Sequence, residues 1–350
     1  MNEMVFFAGI FGSAAVGGYI GHRLKLPAGG MLGSMVAVVI FNMIFQPVVY
    51  LPGEFRVLLQ LAFGPMLGSR ISREEMGGLL KLAFPAGVII VSMLGFNILF
   101  GGIMHLVTGL CIPTTLFATA PGGMMDMAII SADFGANYVY VALLQLCRII
   151  FILMFMMPFY RKAMAKITTP KDVPVPEVKE KAKVYKGYRR FLLTALCGAL
   201  LGVPLWLLGV PAGAIVGAMI GAAVFNIVTG QGYFPPEVRL PLQIVAGVFI
   251  GLRVDRASIM TMNEILVPLL ILMVFIVVTT AATTFIVHKL TGLDIFTSLM
   301  ASTPGGLSEM AILADALNLD APKVALLHTA RLMTVIIIFP QILALVIWLL

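Results

Sequence analysis

The chain reads as an all-α, polytopic membrane protein made of two homologous repeats, and three observations lead there. Sixty per cent of the residues are apolar, only 11% are charged and the mean hydropathy is +1.05, whereas a soluble chain carries about a quarter charged residues. The apolar runs are continuous, and several are long enough for the roughly 20 helical residues that a hydrocarbon core requires; barrel strands would alternate apolar with polar. Thirdly, the chain is written twice. Thr119-Ala120-Pro121-Gly122-Gly123-Met124-Met125-Asp126-Met127-Ala128 returns 183 positions later as Ser302-Thr303-Pro304-Gly305-Gly306-Leu307-Ser308-Glu309-Met310-Ala311. Pro27-Ala28-Gly29-Gly30 and Phe41-Asn42 return as Pro211-Ala212-Gly213-Ala214 and Phe225-Asn226. Gln60, Gly64, Gly68, Arg70 and Arg73 return as Gln243, Gly247, Gly251, Arg253 and Arg256. His105, Thr108-Gly109-Leu110 and Arg148 return as His288, Thr291-Gly292-Leu293 and Arg331. A duplicated membrane unit with paired Pro-Gly interruptions points to a site where the repeats meet.

The elements follow in order. Residues 4–20 form a first helix; Glu3 precedes it, with neither a basic start nor a small-residue cleavage site, so it is read as retained rather than as a signal peptide. Residues 28–45 form a second helix. The third segment, 57–69, is marginal for a full crossing at about 13 residues. Residues 82–107 make a long span, 112–130 an apolar segment interrupted at Pro121-Gly122-Gly123, and 138–160 another span. The second half repeats this plan at 191–208, 211–228, 240–252, 265–287, an interrupted 296–313, and 324–349. The organisation expected is therefore repeat 1 at 1–160, a linker at 161–190 and repeat 2 at 191–350.

The linker holds ten Lys/Arg against three acids, and the remainder of the chain has 13 of each. The whole net charge of +7 therefore lies there. A basic connector beside membrane spans is cytoplasmic by the positive-inside rule, and Pro170, Pro174 and Pro176 make it extended. His22-Arg23-Leu24-Lys25 is basic, whereas its partner loop Leu208-Gly209-Val210 is not. Arg70, Arg73 and Lys81 follow the third segment; in the partner loop Arg253 and Arg256 are offset by Asp255 and Glu264. Charge in one repeat without its echo in the other favours inversion, with an odd number of crossings per half. One segment per half must then fail to cross, and either the short third segment or the Pro-Gly-Gly segment could be re-entrant.

Proline removes a backbone donor and glycine loosens a helix, so both interrupted segments should break. Freed backbone groups cannot face lipid; they face protein or a wet cavity. A half-helix starting after the glycines aims its positive end there. Asp126 and Glu309 follow the breaks at the same offset, and an ionisable group deep in a membrane is a functional candidate. The alternative is that each acid only neutralises its own half-helix. Arg148 and Arg331 lie about ten residues into the last segments. A charge there costs at least about 2.5 kcal/mol uncompensated, so each needs a partner: Asp126 or Glu309, Asp133 or Asp315, or an anionic substrate. A purely structural Arg–acid pair is the competing reading. Gln145 and His328 sit three residues before the arginines, on the same helix face. Gln60 and Gln243 read as packing hydrogen bonds.

Cys111, Cys147 and Cys197 lie singly in apolar segments, without metal-ligand spacing, and read as packing residues. The four histidines, His22, His105, His288 and His328, form no cluster. No Walker loop, dinucleotide fingerprint or nucleophile elbow occurs. No catalytic residue, metal ligand or cofactor is therefore assigned, and no enzyme is expected.

At the two Pro-Gly-Gly segments and the downstream Ala142–Arg148 and Ala325–Arg331 stretches, "ALLQLCR" and "ALLHTAR", the chain resembles the AbrB membrane protein family, which is distinct from the soluble DNA-binding protein of the same name. The resemblance covers nearly the full length. It implies a bacterial cytoplasmic-membrane protein with this internal duplication; family members carry the labels ammonia monooxygenase and regulator of the aidB gene. The family is similar to the cation/proton antiporter and anion transporter superfamily, where inverted repeats contribute broken, crossing helices around a mid-membrane site. The resemblance implies that Pro121–Gly123 and Pro304–Gly306 are those breaks and that Asp126 and Glu309 lie at the crossing. The paired Asp-Asp motif of the antiporters is absent here.

The expected function is secondary transport of a small solute, an organic anion, by alternating access coupled to H+ or Na+. Pro121, Gly122, Gly123, Asp126, Arg148, Pro304, Gly305, Gly306, Glu309 and Arg331 form the expected substrate and ion site. Besides that solute, the lipid bilayer and a second copy in a homodimer are the expected partners, and direct nucleic-acid binding is not expected. The alternative is a membrane-embedded regulator of gene expression acting through a sensed or transported metabolite. A membrane oxygenase is disfavoured, because copper or iron needs converging imidazoles or carboxylates.

Overall fold

The computed structural model describes residues 3–24, 28–45, 51–52, 54–160, 162, 187–252, 265–305, 310, 314 and 319–349. Among them the regular structure is entirely helical. The first half contains α1 (Glu3–Arg23), α2 (Gly29–Phe45), α3 (Glu54–Gly68), α4 (Arg73–Lys81), α5 (Ala83–Thr108), α6 (Ile112–Thr119), α7 (Met124–Ser131) and α8 (from Tyr138). α8 passes through a π-helical turn at Ile152–Met156 and continues to Tyr160. The second half contains α9 (Tyr188–Leu207), α10 (Gly213–Thr229), α11 (Pro236–Gly251), α12 (Leu266–Thr291), α13 (Ile295–Ser302) and α14 (Ala321–Leu349). The expected calls on Lys25, Pro27, Arg253, Arg256, Gly306, Glu309 and Asp315, and on all of the linker but Lys162 and residues 187–190, lie outside the described residues.

Among the described residues, five helices are long and apolar enough to cross a membrane: Ala83–Thr108, Tyr138–Tyr160, Tyr188–Leu207, Leu266–Thr291 and Ala321–Ile347. The chain is a multi-pass membrane protein. α2 and α10, at 17 residues each, are about 25 Å long.

Close backbone approaches fix the direction of each helix. α1 and α2 are antiparallel, because Gly17 meets Gly33 while Gly21 meets Gly29. No side chain fits between them there. α9 and α10 repeat the hairpin, with Gly202 against Ala214 and Gly198 against Ala218. Each short third helix packs on the other repeat's hairpin. α3 runs parallel to α10, with Gly64 beside Ala218 and Gly68 beside Ala223. α11 runs parallel to α2, with Gly247 beside Met31 and Gly251 beside Val38. The exchange is locked at equivalent points. Asn42 Nδ2 donates to the Gly251 carbonyl at 3.4 Å, and Asn226 Nδ2 donates to the Ser69 and Ile71 carbonyls at 2.9 and 2.8 Å.

These contacts establish inversion. The start of α3 lies level with the ends of α2 and α11, since the Phe55 and Phe249 rings stack at 6.4 Å. Its end lies level with the end of α10. The ends of α2 and α10, the same element in the two repeats, are therefore on opposite faces of the bundle. α5 and α12 pack against each other, with the Phe100 and Phe275 rings meeting at 5.4 Å.

The Pro-Gly-Gly segment is the re-entrant one. α6 descends antiparallel to α5, with Asn97 Nδ2 donating to the Leu116 carbonyl at 2.9 Å. The chain then breaks and turns back through α7. It returns to the face it entered from, because the Asn137 amide, at the start of α8, donates to Thr114 Oγ1, at the start of α6, at 2.8 Å. α1, α2, α3, α5 and α8 then connect the faces, an odd number of passages. The end of α1, α4 and the end of α8 share one face, so the basic residues His22, Arg23, Arg73 and Lys81 lie on the face from which the linker departs.

α4 replaces a stretch expected only as a charged loop. Ser72 accepts the Glu75 amide at 3.1 Å and the Glu75 carboxylate accepts the Ser72 amide at 2.9 Å, a complete capping box. Two features recur at the same place in both repeats. Ala28 and Ala212 adopt left-handed backbone angles, φ 47° and 53°, just before α2 and α10, where a Cβ is disfavoured. At the ends of α5 and α12, His105 Nδ1 contacts the Leu110 carbonyl at 2.6 Å and His288 Nδ1 the Leu293 carbonyl at 2.7 Å. Those repeated histidines thus close helix ends.

Candidate functional site

Each site is built on a proline. Pro121 has no amide to donate, so the carbonyl four residues earlier, Phe117, is released. Gln145 Nε2 supplies the missing donor, bonding the Phe117 carbonyl at 2.8 Å and the Ala120 carbonyl at 3.1 Å. In the second repeat Pro304 releases the Met300 carbonyl, and His328 Nε2 reaches it at 2.9 Å. That bond puts the imidazole proton on Nε2. Nδ1 is then an acceptor, and Arg331 Nη2 lies 3.0 Å from it.

The arginines finish the same task. Arg148 Nη1 donates to the Ala120 carbonyl at 2.6 Å and Nη2 to the Gly122 carbonyl at 2.8 Å. Arg331 Nη1 donates to the Thr303 carbonyl at 2.9 Å and Nη2 to the Gly305 carbonyl at 3.2 Å. Thr303 and Gly305 are the counterparts of Ala120 and Gly122. Among the described residues neither guanidinium forms an ion pair with a carboxylate. Of the acids weighed as partners, neither Asp126 nor Asp133 pairs with an arginine of the breaks, and Glu309 and Asp315 lie outside the described residues; both guanidinium groups face peptide oxygens. The reason is local: a broken half-helix ends in carbonyls that carry partial negative charge, and these are the nearest acceptors once proline interrupts the ladder. Both side chains are buried, at 3% and 5% exposure. Each retains a buried Nε with no hydrogen-bond partner among the described residues.

The first break packs against the second repeat: the Phe117 ring beside it meets Phe339 of α14 edge-on at 5.2 Å. Thr303 Oγ1 meets the Tyr160 hydroxyl at 3.5 Å, tying the second break to the end of α8. Pro121, Gly122, Pro304 and the flanking Thr119 and Ser302 are buried, while Gly123 and Gly305 are half-buried.

Asp126 stands in the first turn of α7, three residues after Gly123, which begins the helix without a side-chain cap. It is 5% exposed, and its Oδ1 is buried without a hydrogen-bond partner among the described residues. The half-helix N-terminus offsets part of the cost of burying its anion. Arg70 lines a small recess, about 10 Å³, with Leu67, Met219, Thr329, Leu332 and Met333. Leu332 in turn packs beside Gly123, so the recess borders the break.

Asp133, weighed as an arginine partner, is engaged elsewhere. It forms an ion pair with Arg56 Nε at 2.5 Å and accepts from Gln60 Nε2 at 2.8 Å. Arg56 Nη1 also donates to the Ala132 carbonyl at 2.8 Å. These bonds pin the return of the re-entrant segment to α3. Two contributors went unnoticed at the level of sequence: Arg56 and Asn97. The lone Asn in a 26-residue apolar helix was the available signal for Asn97, which also donates to Thr119 Oγ1 at 2.7 Å.

Comparison with known proteins agrees with the duplication. The family model AbrB, described as "Transition state regulatory protein AbrB", matches residues 1–164 and again residues 162–347. The chain is 24% identical over 349 residues to "Uncharacterized protein YhjN" of Bacillus subtilis (strain 168), covering 93% of this chain and 89% of that protein. It is 25% identical over 326 residues to "Putative regulator AbrB" of Escherichia coli (strain K12), covering 91% of this chain and 90% of that protein.

Proposed function

The chain belongs to the AbrB family, and from that premise and the geometry above we propose that it is a secondary transporter of the bacterial cytoplasmic membrane. It moves a small organic anion by alternating access, coupled to H+ or Na+, around the two Pro-Gly-Gly breaks. The observation that carries this reading is Asp126: a buried carboxylate whose Oδ1 has no partner among the described residues, at the N-terminus of a half-helix inside an apolar bundle. An unpaired buried acid costs several kcal/mol, and a binding role for a proton or sodium ion accounts for its retention. Arg148 and Arg331 hold the carbonyl ends of both breaks through their Nη atoms and supply the positive potential that attracts an anion. Their Nε atoms, unpartnered among the described residues, are the donors available to it.

Alternating access suits the inverted exchange of α3 and α11 between hairpins, since rocking one hairpin against the central α5–α12 pair would open one face as it closes the other. Purified protein in proteoliposomes should accumulate small carboxylates only when an inward Na+ or H+ gradient is applied. Gradient-independent equilibration, or no uptake across that substrate class, contradicts the proposal.

A second reading has two names behind it: the family model's description and that of the Escherichia coli relative both speak of regulation. In this chain a regulatory effect would follow from a change in the level of the transported metabolite. Deleting residues 171–186 separates the two, because a transporter keeps its uptake and a sensor signalling through the basic linker loses its regulatory output.

A further inference from the structure

We infer that the outer side of the first hairpin holds one anionic phospholipid, with its acyl chain in an apolar groove and its headgroup on Arg23. The groove, of about 800 Å³, runs between α1, α2 and α8. Its walls include Gly12, Val16, Ile20, Phe41, Leu143 and Ile150. The missing side chain at Gly12 opens the groove, and Val16 and Ile20 are 62% and 52% exposed to it. Such walls suit hydrocarbon and nothing polar.

The groove's mouth is what selects an occupant. Gly12, Val16 and Ile20 form one stripe of α1, and Arg23 falls on that stripe, seven residues beyond Val16. From Gly12 to Arg23 the stripe rises about 16 Å, so a cation stands at the end of an acyl-length channel. Arg23 is held there by its neighbour. Its Nε donates to the Tyr19 hydroxyl at 2.9 Å, and the guanidinium carbon lies 5.3 Å from the Tyr19 ring centroid. The side chain remains exposed. Apolar walls with one fixed cation at the mouth complement an amphiphile with a negatively charged head.

The other repeat supplies an internal control. At the equivalent end of α9 stand Leu207 and Leu208, both exposed at 71% and 77%. Neither carries a charge, so the cation at the helix end is a feature of the first hairpin. Arg23 stands on the face shared with the basic linker, where the positive-inside rule puts the cytoplasmic, anionic leaflet.

The test is native mass spectrometry of the full chain, delipidated in mild detergent and titrated with phosphatidylglycerol or phosphatidylcholine of identical acyl chains. The expected result is one phosphatidylglycerol retained per chain in preference to phosphatidylcholine. Arg23→Gln should weaken phosphatidylglycerol binding about fivefold and leave phosphatidylcholine unchanged. Val16→Trp, at a residue exposed to the groove, should fill it and weaken both lipids. Equal retention of the two lipids by the unaltered chain overturns the inference, as does an unchanged preference in Arg23→Gln. A dimer that Val16→Trp dissociates, with no lipid bound in either form, overturns it too and assigns the groove to a second copy.

Discussion

A guanidinium buried in an apolar bundle needs acceptors, and Arg148 finds them in the peptide oxygens of its own repeat. Truncating it as Arg148→Leu strands the Gly122 carbonyl and leaves the Ala120 carbonyl to Gln145 alone. A buried orphan costs about 1–3 kcal/mol, so a thermal melt in detergent should show a loss of at least that size, or unfolding outright. His328 allows a finer comparison because the first repeat uses Gln145 in its place. His328→Gln still offers an N–H to the Met300 carbonyl and should melt within about 1 kcal/mol of the unaltered protein. His328→Leu offers none and should lose about 1–3 kcal/mol. If the glutamine and leucine variants melt alike, the donor role assigned to His328 is wrong. Asp126 behaves in the opposite sense. Its carboxylate is buried with an oxygen that finds no partner among the described residues, so Asp126→Asn removes a buried charge that the α7 N-terminus only partly offsets and should not lower the melting temperature.

At the scale of elements, the break is a property of one proline and its donors. Pro121→Ala returns an amide to compete with Gln145 for the Phe117 carbonyl, and α6 can then continue toward α7. The variant should melt no lower than the unaltered chain, since an interior proline disfavours a helix by about 3 kcal/mol, while gradient-driven uptake is lost. A lower melting temperature with uptake retained would contradict this account of the break. Both breaks, the duplication and the pairing of Gln145 and His328 with the arginines were legible in the sequence, because proline, glycine and charge stand out against an apolar background. The arginines' partners were not. A backbone carbonyl carries no residue identity, so a search through side chains could offer only acids. α4 was missed for a different reason: nine residues with no buried face leave no apolar period, although Ser72 and Glu75 stand at capping-box spacing. The choice between the third segment and the Pro-Gly-Gly segment as the re-entrant one needed a contact across 23 positions, Asn137 to Thr114, which no local pattern encodes.

At the scale of the molecule, inversion and charge agree. The turns after α1 and after α9 lie on opposite faces, and only the first is basic. In a cysteine-free background, Arg23→Cys should react with a membrane-impermeant maleimide only from the cytoplasmic side, and Gly209→Cys only from the outside. Reaction of both from one side would break the inverted arrangement. The same inversion packs each break against the other repeat and gives Asp126 its proposed task, which is tested most directly by charge movement. Proteoliposomes adsorbed to a solid-supported membrane are exposed to a sodium jump and, separately, to a pH jump, with unaltered protein and Asp126→Asn reconstituted at equal density. The account predicts a transient charge displacement for at least one of the two ions with the unaltered protein and none with Asp126→Asn; equal displacements from the two proteins would contradict it.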